Sequence, residues 1–178
     1  MVQKPQRLKH YTSISNLLVF LNQRYLSLGN PNYWKDENDK ASLQAFCRLK
    51  GNNTEARVLC LAEGEEVYTH WQGYAPKGCQ IQFNTEALLK NLKPEFLHGF
   101  VNYKPAKEVT ASYLKKLSTN KLPFLKRRPY ECEKEYRIVW FGQNAENAKI
   151  PLDENTIECI TLAPDLPVRE KIKELLEK

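Results

Sequence analysis

Segments typical of short β-strands recur along the whole chain, and helical segments or polar turns separate them. These segments are LKHYTS, RYLSL, ARVLCLAEG, KGCQIQFN, HGFVNYK, CEKEYRIVWFG and TIECITLAP. Helices do not alternate strictly with strands, so a doubly wound parallel sheet is not expected. The 178 residues, 42% of them hydrophobic, suffice for one packed core. We predict one α+β domain, residues 1–178, with mixed, mostly antiparallel sheets of short strands and flanking helices.

Several classes of protein are disfavoured by simple features of the chain. No apolar run approaches the ~20 residues that a membrane span needs, and the basic start MVQKPQRLKH leads into no apolar stretch, so we expect no secretory signal. The five cysteines form no CxxC pair, which favours reduced thiols in a cytoplasm and no zinc site. We therefore predict a cytoplasmic protein without a membrane partner or bound metal.

Positive charge is concentrated in one stretch of a chain whose net charge is +6. Residues 115–128, KKLSTNKLPFLKRR, contain six basic and no acidic residues. Such a stretch can bind phosphates of RNA, DNA or a dinucleotide. The candidate nucleic-acid contacts are Lys121, Lys126, Arg127 and Arg128. A solvated basic loop beside an acidic partner is the alternative.

Three charged residues lie at alternate positions of the predicted strand CEKEYRIVWFG. Glu133, Glu135 and Arg137 would share one face of this strand. The opposite face would carry Cys132, Tyr136 and Ile138 toward the core. Two carboxylates about 7 Å apart beside a fixed arginine can bind a substrate and stabilise a developing positive charge. A solvent-exposed Glu–Arg pair is the alternative and would contribute less than ~1 kcal/mol.

Two further segments carry residues suited to a nucleotide. His10 ends an early strand, and Thr12 with Ser13 begins a helix, so an imidazole and backbone donors can face a ribose or phosphate. Tyr33 and Trp34 lie in the polar loop NPNYWKDEND, where they either stack on a planar ring or cover the core. The acidic residues of that loop lack EF-hand spacing, which argues against calcium.

Taken in order, these segments resemble a bacterial domain family of unassigned function. The resemblance rests on an aromatic pair after a basic residue, an Asn-Pro-x-x-aromatic-x-Asp loop, a Trp-x-x-Tyr turn before a Lys-Gly strand, and a Glu-x-Glu-aromatic-Arg strand. The segments that carry it are LKHYTS, LSLGNPNYWKDEND, VLCLAEGEEVYTHWQGYAPKGCQIQF, VNYK, PYECEKEYRIV and IECITLAPDLPVREKIKELL. They extend over almost the whole chain.

The layout is also similar, more distantly, to the ADP-ribosyltransferase superfamily. That resemblance implies an ADP-ribosyltransferase-like fold with NAD as co-substrate, its ribose held near His10, Tyr11 and Thr12. It implies a nicotinamide stacked on Tyr33 or Trp34, although Tyr25 and Tyr74 are equal candidates for stacking. It further implies catalysis by Glu135 or Glu133, with His10 assisting and Arg137 beside the cofactor.

The leading hypothesis is therefore an NAD-dependent ADP-ribosyltransferase. It would act as a bacterial toxin or phage-defence effector on RNA or DNA, with a neutralising antitoxin as a further partner. One alternative is a non-catalytic module that binds nucleic acid or another partner through the basic stretch. A second alternative is a magnesium-dependent nuclease that uses Asp36, Glu133 and Glu135.

Overall fold

A computed structural model describes residues 4–51, 53–167 and 169–176 as a single small α+β domain. Its strands are β1 (Leu8–Thr12), β2 (Tyr25–Ser27), β3 (Glu55–Glu63), β4 (Cys79–Phe83), β5 (Leu97–Phe100), β6 (Asn102–Lys104), β7 (Leu125–Arg127), β8 (Glu135–Gly142), β9 (Lys149–Pro151) and β10 (Ile157–Leu162). Its α-helices are α1 (Ile14–Gln23), α2 (Glu37–Lys50), α3 (Tyr68–Tyr74), α4 (Thr85–Lys90), α5 (Ala111–Lys116) and α6 (Arg169–Leu176).

A six-stranded sheet forms the centre of the domain. Its strand order is β10-β4-β1-β3-β8-β5, and every neighbouring pair is antiparallel. Two small sheets flank it: β2 pairs antiparallel with β9, and β6 pairs parallel with β7. The predicted α+β class with mostly antiparallel short strands is confirmed.

Side-chain caps fix where several helices begin. Ser13 accepts a hydrogen bond from the backbone of Asn16 at the start of α1, and Asp36 accepts two at the start of α2. Asn84 accepts a hydrogen bond from the backbone of Ala87 and caps α4. Each cap satisfies a backbone donor that the helix itself leaves unpaired.

The two faces of the central sheet differ in what covers them. One face carries the main apolar core, in which Leu59, Ile81 and Ile138 pack against α1 and α4. The other face is covered by α2 and α3, and its apolar clusters are smaller. A Cβ added at Gly78 would overlap the carbonyl oxygen of Thr12, so glycine permits β4 to approach the end of β1 closely. The buried charged side chains of β8, Glu135 and Arg137, lie on the second face.

Several predicted boundaries were wrong. The strand predicted to begin at Cys132 begins at Glu135, because residues 128–133 form a 3-10 helix and Lys134 adopts a left-handed conformation at φ 43°. Cys132 is exposed rather than turned to the core, whereas Tyr136 and Ile138 are buried as predicted. The strand predicted over HGFVNYK is divided at Val101 into β5 and β6. The segment DLPVREKIKELLEK, residues 165–178, contains the last helix, and positions 168 and 177–178 of it lie outside the described residues.

Candidate functional site

A cleft of about 680 Å³ opens where β1 separates from β3. β1 pairs with β4 along all five residues, but with β3 only at Leu8 and Lys9. Farther along, the next contact on this edge of β3 is a bridge between Gly29 and Val58. Cys60 lies between these two contacts and has no strand partner on the β1 side among the described residues. The gap in the sheet therefore becomes the floor of the cleft.

His10 lies in this gap, and its neighbours determine its tautomer. Its Nδ1 is 2.9 Å from the carbonyl oxygen of Cys60, which can only accept a hydrogen bond, so Nδ1 carries the proton. Burial lowers the pKa of His10, and the bond to Cys60 only partly opposes this effect. The ring is therefore neutral at pH 7, and Nε2 is a bare acceptor. A ligand hydroxyl in the cleft is the kind of donor that this nitrogen can bind.

Arg137 is fully enclosed on the α2 side of the sheet and uses all five of its N–H donors. Nε and Nη2 donate to the two carboxylate oxygens of Glu135, at 2.6 Å and 2.9 Å. Nη1 and Nη2 donate to Asp39, and Nη1 also donates to the carbonyl of Pro123 at 2.8 Å. The interpretation of an exposed Glu–Arg pair is therefore wrong. Arg137 does not line the cleft, so it orients Glu135 rather than contacting a cofactor as predicted.

Lys126 completes what we call the ion cluster: Arg137, Lys126, Asp39, Glu133 and Glu135. Its Nζ lies 3.0 Å from Glu135, 3.6 Å from Asp39 and in hydrogen-bond contact with Glu133. The side chain is only 8% exposed. Three carboxylates face two cations, which leaves the cluster with one excess negative charge when all five groups are ionised. Because its ammonium group is buried among three carboxylates, Lys126 is not free to contact nucleic acid as predicted.

Glu135 is held ionised by this cluster. Burial alone would raise the pKa of its carboxyl group, but the charges of Arg137 and Lys126 outweigh burial and lower the pKa from 4.5 to about 2. Because the pKa is lower in the folded state, this group stabilises the fold above about pH 4.5 and loses that contribution as the pH falls toward 2. The contribution is on the order of 3 kcal/mol.

We therefore expect wild-type protein to lose more free energy of unfolding than Glu135→Gln between about pH 5 and about pH 2. The glutamine cannot be protonated in this range, so its variant lacks this part of the acid sensitivity. Urea unfolding at a series of pH values measures the difference. Equal losses in both proteins would show that Glu135 is not ionised by its neighbours in the folded state.

Glu133 also belongs to the ion cluster, but it does not lie on strand β8 as predicted. It is the last residue of the 3-10 helix, and the left-handed Lys134 lies between it and β8. The hydroxyl of Tyr74 donates to its Oε1 at 2.6 Å, and Lys126 donates to its Oε2. The Glu133 side chain is 14% exposed, more than that of Glu135. It is therefore the more accessible of the two carboxylates that line the cleft.

Of the aromatic residues considered for stacking, Trp34 and Tyr74 line the cleft and Tyr33 does not. Tyr33 is 87% exposed on a 3-10 turn. The Trp34 ring lies 5.5 Å from the guanidinium carbon of Arg137 and covers the ion cluster from the loop. Tyr25 is also outside the cleft, and Lys149 lies over its ring. The candidates for a stacking residue are thereby reduced to Trp34 and Tyr74.

Tyr11 and Thr12 both line the cleft, and the hydroxyl of each already accepts one hydrogen bond. The Tyr11 hydroxyl accepts a hydrogen bond from the buried Gln80, and its ring packs edge-on against Trp71. The hydroxyl of Thr12 accepts from Asn16. They shape the wall beside His10, and each hydroxyl, which accepts one bond, still has its own proton to donate.

The remaining basic residues lie outside the ion cluster. Lys121, Arg127 and Arg128 are exposed. Arg127 stays near the cleft, since it donates to the Tyr130 hydroxyl and lies 3.9 Å from Asp36. Arg128 pairs with Glu131 at 3.5 Å. Of the six basic residues of 115–128, Lys126 alone lies in the ion cluster and the other five are exposed, so the predicted nucleic-acid surface stays a prediction without Lys126.

A metal site is disfavoured by the same cluster. Asp36, Glu133 and Glu135 all line the cleft, as a nuclease would require. However, the ammonium of Lys126 lies against the two glutamates, where a cation would bind. Among the residues that the structure describes, no group of His, Cys, Asp and Glu side chains has the arrangement of a metal site.

Sequence reasoning missed Asp39, Cys60 and His70. From the sequence, Asp39 was only one of the acidic residues of the loop NPNYWKDEND, yet it is buried and binds Arg137 from 98 positions away. Its one sequence signal is an acid in the first turn of a helix, which is usual for an exposed residue. Cys60 and His70 also line the cleft; both lie in a segment that carries the family resemblance, but the resemblance assigned neither of them a role.

No family model matches the chain, and no curated protein or solved structure matches it either. The two resemblances drawn from the sequence therefore stay predictions. None of the described helices is long and apolar enough to cross a membrane.

Proposed function

We propose that the cleft binds NAD and that the protein is an ADP-ribosyltransferase. The observation that carries this proposal is that His10, Trp34 and Glu135 line one cleft although they come from distant parts of the chain. The cleft volume lies within the range of small-molecule sites, roughly 300–1,000 Å³. An ionised carboxylate, a neutral imidazole and an aromatic ring are suited to a ribose that carries a planar base.

The charges of the site fit the reaction. In ADP-ribosyl transfer the bond between ribose C1′ and the nicotinamide nitrogen breaks, and its electron pair leaves with nicotinamide. Positive charge then develops on the ribose. Glu135 is fixed and ionised by Arg137 and Lys126, so it can stabilise that charge without reorganising. The bare Nε2 of His10 can accept a hydrogen bond from a ribose hydroxyl and orient the sugar.

Glu133 is suited to the incoming nucleophile. It is the more exposed carboxylate and lies between Lys126 and Tyr74. A carboxylate in this position can orient an acceptor hydroxyl or amine and take its proton as the new bond to C1′ forms. The exposed Lys121, Arg127 and Arg128 support RNA or DNA as the acceptor. A toxin or phage-defence effector with a neutralising antitoxin remains the biological setting that we propose.

The test is incubation of the protein with labelled NAD in the presence of RNA, DNA or cell lysate. We expect release of nicotinamide and transfer of label to one of these acceptors. NAD should also raise the thermal midpoint, because a ligand at 100 times its dissociation constant stabilises a fold by ~2.7 kcal/mol. Salt-sensitive RNA or DNA binding without any NAD effect would instead favour the binding module.

A further inference from the structure

His70 is a buried side chain whose polar atoms are unused. It is 4% exposed, and neither ring nitrogen makes a hydrogen bond within residues 4–51, 53–167 and 169–176. Leaving a buried donor or acceptor unpaired costs about 1–3 kcal/mol. Native proteins rarely retain such groups, and a bound ligand is one of the partners that can satisfy them.

The ring lies in the wall of the cleft beneath a partly exposed tyrosine. Its centroid is 5.1 Å from the Tyr11 ring and 6.2 Å from the Tyr74 ring. Tyr74 lies four residues later on α3, is about half exposed, and donates its hydroxyl to Glu133. His70 itself lines the cleft, so a ligand bound there lies next to its ring.

The surroundings determine which chemical group can bind there. Burial lowers the pKa of His70; the charge of Glu133, a contact of the ring with the Glu133 backbone that falls short of hydrogen-bond geometry, and the charge of Glu135 oppose this only in part, while Lys9 adds to the lowering. The ring is therefore neutral at pH 7, with one donor and one bare acceptor. The excess negative charge of the ion cluster disfavours phosphate or carboxylate here. Uncharged hydroxyl and amide groups beside a flat ring fit both the imidazole and the two tyrosines.

We propose that His70, Tyr11 and Tyr74 form a subsite for the nucleoside moiety of a ligand, with His70 making its polar contact. This inference concerns binding alone and does not require the transfer reaction. The nucleoside comes either from the nicotinamide end of NAD or from an RNA or DNA acceptor, because both offer a planar base with ribose or amide groups.

The test combines stability and binding in His70→Phe. Phenylalanine keeps a flat ring and removes both unpaired nitrogens. We expect the thermal midpoint of the unligated variant to stay the same or to rise by a few degrees, since each kcal/mol shifts a domain of this size by about 2–4 °C. Affinity for the ligand should fall about 5- to 150-fold, the equivalent of one lost buried contact. His70→Leu removes the same nitrogens with a smaller side chain and gives an independent measurement.

The probes are NAD, nicotinamide riboside and the four ribonucleosides, each titrated by calorimetry. If His70→Phe loses affinity only for NAD and nicotinamide riboside, the subsite belongs to the co-substrate. If it loses affinity only for the ribonucleosides, the subsite belongs to the acceptor. The matched control is His98→Phe on β5, whose imidazole is bonded to Tyr136 and lies outside the cleft. It should lower the midpoint and leave affinity unchanged. Unchanged affinity of His70→Phe for every probe, or no binding of any probe to wild-type protein, would overturn the proposal.

Discussion

Arg137→Met is expected to lower the free energy of unfolding by about 3–5 kcal/mol, because it leaves buried carboxylates without their cation. Methionine keeps an unbranched apolar stem, is shorter than arginine and donates no hydrogen bond. Glu135 loses two of its bonds and Asp39 loses two, while Lys126 alone faces three acidic groups. For a domain of this size, the thermal midpoint should fall by roughly 6–20 °C, measured by calorimetry or circular dichroism.

The chain supplies a matched control in Glu55 and Arg57. This pair has the same Glu-x-Arg spacing on the neighbouring strand β3, and Arg57 donates to Glu55 at 2.7 Å. Its side chains are 34% and 18% exposed, so water screens the pair. We expect Arg57→Met to cost less than about 1 kcal/mol. Equal effects of the two substitutions would mean that the ion cluster contributes no more than a surface ion pair.

The two Glu-x-Arg pairs also show where the sequence stops being informative. Strand periodicity correctly placed Glu135 and Arg137 on one face of β8, with Tyr136 and Ile138 on the other. The same local pattern at residues 55–57 is partly exposed, so the pattern itself contains no information on burial. Burial of Arg137 depends on Asp39, which α2 brings from 98 positions away. No local rule connects these residues.

The position of Glu133 illustrates a second limit. Continuing the alternation one step toward the N-terminus gave a row of three charged residues on one strand. The 3-10 helix and the left-handed Lys134 interrupt that row, and a lysine in this conformation has no reliable sequence signal. The carboxylates converge nevertheless, because Lys126 and Tyr74 hold Glu133 beside the cleft. The sequence thus predicted that Glu133, Glu135 and Arg137 lie near one another, but it did not predict the backbone conformation that brings Glu133 there.

The cleft was not predictable at all from local patterns. The sequence identified β1 and α1 with their boundary at Thr12 and Ser13, and the structure confirms both elements. What creates the cleft is that β1 remains paired with β4 and separates from β3 after Lys9. This separation depends on tertiary contacts, including the close approach of Gly78 to Thr12.

Glu135→Gln is expected to reduce nicotinamide release from NAD by about 10²- to 10³-fold with NAD binding largely retained. Glutamine keeps the size of the side chain and removes the charge that would stabilise the ribose cation. Because Arg137 and Lys126 lose a carboxylate partner, the variant should also be less stable than wild type. Activity is therefore measured well below the thermal midpoint, with folding checked by circular dichroism. Full turnover by this variant would exclude Glu135 as the charge-stabilising residue.

Glu133→Gln distinguishes orientation of the acceptor, the role proposed for Glu133, from stabilisation of the ribose cation, the role proposed for Glu135. If Glu133 orients the acceptor, its loss should abolish label transfer, whereas hydrolysis of NAD by water should persist at a reduced rate. The amide oxygen can still accept from Lys126, and the amide NH2 can donate to the hydroxyl oxygen of Tyr74, so the cleft should keep its shape. The ratio of transferred label to released nicotinamide is the decisive measurement, because it is independent of how much protein is active. A loss of nicotinamide release equal to that of Glu135→Gln, at an unchanged ratio, would instead make Glu133 the residue that stabilises the breaking bond.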